Sequence, residues 1–347
     1  MKPISIRLLG QQLVCPKLNS AHDVVSYMGA MQAQDYNGMR WAVEMRTRRP
    51  SQKAFAKDFN EGRIVRAHLL RNTWQLVAAE DYRWMVSLCS KKARAGIRGW
   101  GKMYGISITE DEELRFREFL TGAFRGRGNF TREAIAEAVA EGGFGAGVDQ
   151  IKFLTLLAEV SGVLCSGRLT ARERNFALSG ERIPQADAIS REDAFTLLAR
   201  RYFLSHAPAT LEDFVWWTGL GTIECRSAIE SLGSEIIRER YKGEEFYLHQ
   251  DCRTRGWRSG CVHLLPAYDE YLIGYKSRHI CLDPDFRHRA HDQKGIFWPV
   301  ILLDGKVIGN WSPSGKGIST DYFCDEALPT PGALEAQVQR YKSFLER

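Results

Sequence analysis

Apolar residues recur at helical spacing from the first residues onward. Ile4, Ile6, Leu8, Leu9 and Leu13 read as a short helix over residues 4–13. A second stripe, Val24, Met28 and Met31, follows Ser20, which reads as an N-cap. Residues 39–45 read as a third helix, and Ser51 opens a fourth. The period then changes. Residues 64–70 and 73–77 are β-rich and flank Arg71-Asn72, a tight turn. Helices followed by a hairpin outline a winged helix. Residues 79–105 read as a long basic helix, and Thr109 with Glu110, Asp111 and Glu112 starts another with acids in its first turn.

The pattern repeats twice. After the Gly-rich break at 125–128, helices are expected over 131–140 and 151–160. Residues 164–166 and 175–178 then supply a wing, and 184–190 a linker. Next, Thr210 caps a helix ending at Thr218, and Gly219-Leu220-Gly221 turns the chain into a helix over 222–232. Lys242-Gly243 joins two strand-like runs, 236–240 and 245–248. Helix, short Gly turn, helix and hairpin is the signature of a winged helix-turn-helix. Its second helix is not strongly basic, so a groove-reading role for it is doubtful. The remainder turns to strands. Residues 263–265, 298–303 and 306–311 are strand-like, Asp304-Gly305 signals a hairpin, and 331–347 reads as a closing helix. The expected class is α+β: three tandem winged helix-turn-helix modules and a β-rich C-terminal part. The boundaries are 1–125, 126–189, 190–255 and 256–347.

One stretch breaks the apolar logic. Met31-Gln32-Ala33-Gln34-Asp35-Tyr36 puts two amides and a carboxylate where a helical stripe should close. At roughly 100° per residue, Gln32 falls on one edge of the stripe, Gln34 on the other and Asp35 along it. Either these side chains cap a helix end in water, or they rim a polar pocket. A spacing of two sets the amides roughly 160° apart on an ideal helix. Serving one water would require the helix to end or distort here, and Gly38 is close enough to permit it.

Composition narrows the classes. At 347 residues the chain suits two to four modules, with apolar and charged content of a globular protein. No apolar run nears the ~20 residues of a membrane span, and residues 1–7 lack a signal-like segment. No membrane association and a cytoplasmic location are expected. The net charge of +6 is mild, but its distribution is not. Residues 82–109 contain no acid and carry Arg83, Lys91, Lys92, Arg94, Arg98 and Lys102. Further basic groups are Arg253, Arg255 and Arg258, and Lys276, Arg278, Arg287 and Arg289. With Trp84, Trp100, Tyr104, Trp257 and Tyr275 beside them, these suit phosphate binding or, equally, solvated faces. Eight Cys without a CxxC pair read as reduced thiols. His249, Cys252, Cys261 and His263 lack standard zinc spacing, and His288 and His291 read as a polar loop. No metal is expected.

An ordered set of motifs then resembles a known family. Met31-Gln32-Ala33-Gln34-Asp35, Leu70-Arg71-Asn72-Thr73-Trp74-Gln75-Leu76-Val77, Pro208-Ala209-Thr210-Leu211-Glu212-Asp213-Phe214, the run from Leu264 to Tyr275 and the Asp304-Gly305 hairpin are similar to those of the AlkZ-like winged-helix DNA glycosylases. The likeness runs from about residue 5 to about residue 315. It implies a C-shaped array with a basic concave surface for duplex DNA. It also implies hydrolysis of the N-glycosidic bond of alkylated purines, notably N7-alkylguanine, and in some members unhooking of interstrand crosslinks. The family's catalytic motif is Gln-x-Gln in one branch and Gln-x-Asp in the other; Gln32 and Gln34 put this chain with the first. A cleft hairpin that matters in the family has no assigned position here.

On this reading Gln34 orients the attacking water and Gln32 helps hold it or the sugar phosphate. Asp35 either supports positive charge on the sugar or serves as a turn acid. His68 and Arg71 contact phosphate or form a strand-face polar pair, and Trp74 belongs to the core. Lys91, Lys92, Arg94 and Arg98 meet DNA, as do Arg278, Arg287 and Arg289 from a long loop. Tyr268, Asp269 and Glu270 position loops, because acids repel phosphate. The expected protein is a monofunctional, monomeric glycosylase with no cofactor and duplex DNA carrying an alkylated purine as partner. The alternatives are a non-catalytic winged-helix DNA-binding or regulatory protein and an interaction scaffold.

Overall fold

Short-range capping sets where many of the helices begin. In a computed structural model describing residues 2–170, 175–315, 317–325 and 328–346, Ser20, Thr109 and Thr210 each close a capping box. Their partners are Asp23, Glu112 and Asp213, three residues on. The chain forms two compact units, Met1–Phe55 with Phe195–Arg347, and Ala56–Ala194. The architecture is α+β. Among the described residues no helix is long and apolar enough to cross a membrane.

In the unit Ala56–Ala194, strands Ile64–His68 and Trp74–Ala78 pair antiparallel, from Ile64 opposite Ala78 to His68 opposite Trp74. Arg71 and Asn72 make the turn at φ of 55° and 54°. The basic helix Ala79–Met103 follows, then helices Glu110–Phe124, Arg132–Glu141 and Val148–Val160. A short ladder, Leu164–Ser166 against Phe176–Leu178, comes after them. Phe116, Leu120, Phe124, Leu154 and Leu157 fill the core.

The discontinuous unit opens with helices Pro3–Gly10, Ala21–Met28 and Gly38–Glu44. A helix without a counterpart in the sequence reading, Arg191–Ser205, leads into Leu211–Thr218. Gly219, left-handed at φ 67°, turns the chain into Thr222–Ser231. The hairpin Ile236–Tyr241 and Glu244–His249 follows, in the order expected of helix-turn-helix and wing. A four-stranded antiparallel sheet then runs in the order Gly317–Tyr322, Lys306–Ser314, Val300–Leu303, Val262–Leu265. Its first strand lies beyond the hairpin foreseen at Asp304-Gly305. Helix Pro331–Glu346 closes the unit; Arg347, placed in that helix by sequence, lies outside the described residues. Leu8, Leu9, Leu264, Ile301 and Leu302 are in its core.

Two sequence expectations fail locally. The early helix does not carry the polar motif. It stops at Met28, because Gly29 takes φ 80° and closes the last turn on Val25 and Ser26. A side chain at Gly29 would meet Arg201 Cβ at 3.2 Å. Arg287 and Arg289 are not in a long loop; they sit on the one-turn helix Arg287–Ala290, after a 3₁₀ turn started by the Asp283 cap.

Candidate active site

Beyond Gly29 the backbone extends. Met31–Gln32 form a two-residue strand, Gln34 and Asp35 lie in a bend, and the chain re-enters a helix at Gly38. Met31, Gln32 and Ala33 are buried, Gln34 is exposed and Asp35 half-buried. Gln32 thus ends a strand and Gln34 opens the bend, so the two amides do not sit on one helix.

A buried carboxylate holds this segment. The Gln32 backbone N–H donates to Glu270 Oε1 at 2.5 Å. The indole N–H of Trp217 donates to Glu270 Oε2 at 3.0 Å, and His206 Nε2 lies 3.3 Å from the same oxygen. Burial depresses the His206 pKa below its ordinary value although Glu270 pulls it up. The neighbouring acid is fixed too: Asp269 accepts both Arg46 Nη atoms, at 2.8 and 2.9 Å, and caps the helix Glu270–Ile273. The expected loop-positioning role of this acidic run has a concrete form here, with Glu270 fixing the backbone at Gln32. Between Pro266 and these two acids, Tyr268 takes φ 59°, an uncommon conformation for a bulky residue.

Asp35 Oδ1 accepts from the Asn37 N–H at 3.0 Å, in a local turn. With Gly38, Arg40, Pro266 and Trp311 it borders a depression of about 310 Å³. Arg40 had no part in the sequence reading. Only its placement one turn beyond the motif, on a helix whose start was inferred, could have singled it out.

The basic candidates have different fates. In Ala56–Ala194, His68 Nδ1 lies 2.7 Å from Glu159, and its ring centroid is 3.8 Å from that of Trp74, the planes tilted by 37°. Arg66 covers Trp74, also at 3.8 Å, and the indole is buried as expected. Arg71 occupies the hairpin turn, half-buried. Lys91 and Lys92 are exposed. Arg94 and Arg98 face the next helix instead: Arg94 pairs with Glu113 at 2.7 Å, and Arg98 with Glu113 at 2.5 Å and Glu110 at 2.9 Å. In the discontinuous unit Arg278 donates to the Leu272 and Lys276 carbonyls and lies 4.9 Å from the Phe297 ring. Arg289 pairs with Asp321 at 2.7 Å over Phe323, and Arg287 is exposed.

Comparison with known proteins identifies the architecture. A family model described as DNA glycosylase AlkZ-like matches residues 25–344. A curated relative, the interstrand DNA cross-link repair glycosylase of Streptomyces sahachiroi, is 23% identical over 329 residues, 89% of this chain and 87% of that protein. The solved structure of Streptomyces sahachiroi DNA glycosylase AlkZ superposes with a TM-score of 0.84 at 20% identity, over 98% of this chain and 95% of that one. The chain belongs to the AlkZ-like DNA glycosylase family.

Proposed function

We propose that the protein is a monofunctional DNA glycosylase that hydrolyses the N-glycosidic bond of alkylated purines, N7-alkylguanine in particular, in duplex DNA. Unhooking of interstrand crosslinks belongs to the same reading, given the name of the Streptomyces sahachiroi relative. The chemistry suits amides. Excision ordinarily needs the leaving base protonated and a water activated, but an N7-alkylguanine is already cationic. The remaining work is to place a water and to stabilise an oxocarbenium-like sugar. A Gln carbonyl accepts from that water while its NH₂ donates elsewhere, and placement alone removes a large share of a barrier. Gln34, the exposed amide, orients the water. Gln32, whose backbone N–H is held by the Glu270 carboxylate, holds the water or the sugar phosphate, and Asp35 adds negative charge for a cationic substrate.

The observation that carries this reading is the extended backbone at Gln32, between the stop at Gly29 and the turn at Asn37. For DNA contact, the exposed Lys91, Lys92 and Arg287 are best suited to phosphate. His68 and Arg71 in one unit, and Arg278 and Arg289 in the other, are further proposed DNA contacts with their present partners in place. Arg94 and Arg98 would have to share Glu113 with DNA. The enzyme works as a monomer without metal or nucleotide cofactor.

The test is a single-turnover reaction on duplex carrying one N7-methylguanine, followed by alkaline cleavage. Wild type should generate an abasic site, and the Gln32→Ala/Gln34→Ala variant should bind the duplex but react at least about a hundredfold more slowly, the order expected for lost positioning. Binding by wild type without abasic product, on this duplex and on a crosslinked one, would overturn the proposal in favour of a DNA-binding regulator.

A further inference from the structure

The depression beside the glutamine segment is walled by aromatic rings and lined by one carboxylate and one guanidinium. Its volume, about 310 Å³, is that of a small-ligand site. Trp41 and Trp311 are locked by indole N–H bonds, each 2.7 Å, to the Leu264 and Leu265 carbonyls. Tyr341 meets both rings edge-on at 5.2 Å. The polar groups have capacity to spare. Asp35 Oδ1 takes the Asn37 N–H, whereas Oδ2 has no hydrogen-bond partner among the described residues. Gly38 preserves the place of that oxygen, since a Cβ there would come within 2.7 Å of it. The Arg40 Nε is buried without a partner, and its guanidinium makes no ion pair or hydrogen bond among the described residues; it rests 5.4 Å from the Tyr36 ring.

A ligand that completes this site is planar. It offers an acceptor to Arg40 and donors to Asp35, and it gains from positive charge beside a carboxylate and aromatic rings. The Watson–Crick edge of guanine has that pattern: O6 accepts, while N1–H and N2–H₂ donate. N7 alkylation leaves this edge intact and adds the charge. Adenine offers one donor group and no carbonyl. We infer that the depression receives the alkylated guanine base once it leaves the stack, with Arg40 on O6 and Asp35 on N1–H and N2–H₂. This inference rests on the glycosylase reading above, and it makes Asp35 and Arg40 the residues that select guanine.

The full chain is titrated with free bases, followed by tryptophan fluorescence. Wild type should bind 7-methylguanine at least about tenfold tighter than 1,7-dimethylguanine, which lacks the N1–H, and than 3-methyladenine, the loss expected for one hydrogen bond to a charged group. Arg40→Met should weaken 7-methylguanine by a similar factor. Asp35→Asn should move the preference to 7-methylxanthine, because its new NH₂ can donate to the xanthine O2. A general loosening of the fold would not produce that exchange. Equal binding of all bases by wild type, no binding, or a guanine preference surviving in Asp35→Asn would each overturn the inference. Selective base binding without abasic product from duplex would keep the base site and sink the glycosylase reading. Abasic product without selective base binding would do the reverse.

Discussion

The Glu270 carboxylate accepts from the Gln32 backbone N–H and the Trp217 indole N–H, and His206 Nε2 lies 3.3 Å from it. A glutamine at 270 keeps the shape but offers only one acceptor atom, and its NH₂ would face a group that also donates. Leaving buried donors unmet costs roughly 1–3 kcal/mol, more around a charge. Glu270→Gln is therefore expected to lower unfolding stability by about 2–4 kcal/mol. It should also slow single-turnover excision at a temperature where the variant stays folded, because the backbone at Gln32 loses its anchor. Urea denaturation and the excision assay check the two effects separately. Unchanged excision by the folded variant would show that Glu270 supports the fold but not the site. At this scale the sequence was legible in part. The polar stretch Gln32–Ala33–Gln34–Asp35 stood out because amides and an acid interrupt an apolar stripe. That the stripe ends at Gly29 was missed, since one glycine in a helical pattern is compatible with either continuation or a stop. Nothing near position 32 announces a partner at position 270.

Among the elements, the contrast between two classes of basic residue on the helix Ala79–Met103 is the instructive one. A stretch without acids reads as a phosphate-binding face. The acids that balance it lie on the next helix, where Glu113 is buried against Arg94, Arg98 and the Ser161 hydroxyl, which donates to it at 3.0 Å. Removing that charge strands two guanidinium groups. Because both reach solvent, the cost falls below the ~3–5 kcal/mol of a fully buried pair, to about 1–3 kcal/mol for Glu113→Gln. Lys91→Ala should leave the urea midpoint unchanged. It should flatten the salt dependence of DNA affinity by a slope of about 1, one counterion for the lysine lost. A stability loss from the lysine variant, or a salt slope that does not move, would contradict this division of labour. Elements whose cause is local were readable from the chain. The capping boxes at Ser20, Thr109 and Thr210 and the hairpin turns at Lys242-Gly243 and Asp304-Gly305 each close within a few residues. The edge strand Gly317–Tyr322 was not, because none of its six positions is buried and no apolar run marks it.

At the scale of the molecule, the unit formed by residues 1–55 and 195–347 stakes its fold on buried polar groups contributed by both parts. Arg7 meets Asp213 and the Pro208 carbonyl, Arg46 meets Asp269, and His263 Nε2 lies 2.8 Å from the Leu13 carbonyl. Burial pushes the His263 pKa down to about 4 and lowers that of His206. Both groups therefore hold fewer protons folded than unfolded. Stability is complete above the unfolded value near 6.5 and is lost as pH falls through that value toward 4, at up to about 1.4 kcal/mol per pH unit for each histidine. Melting temperatures followed by circular dichroism should be flat above pH 7 and fall steadily below pH 6.5, and His263→Gln should reduce the slope. A melting temperature constant from pH 7 to pH 5 would show that these histidines are not protonation-sensitive in this way. Contacts of this range also explain why a linear reading cuts the chain into consecutive segments, whereas packing joins its two ends: local helix and hairpin signals carry no information about position 213 when read at position 7. The bond between Gln32 and Glu270 spans 238 residues. On the ribosome, Gln32 emerges long before the acid that holds its backbone has been made. A nascent or prematurely terminated chain would carry the glutamine motif without that anchor, so under the chemistry proposed above base excision is expected only once the chain has been made through Glu270.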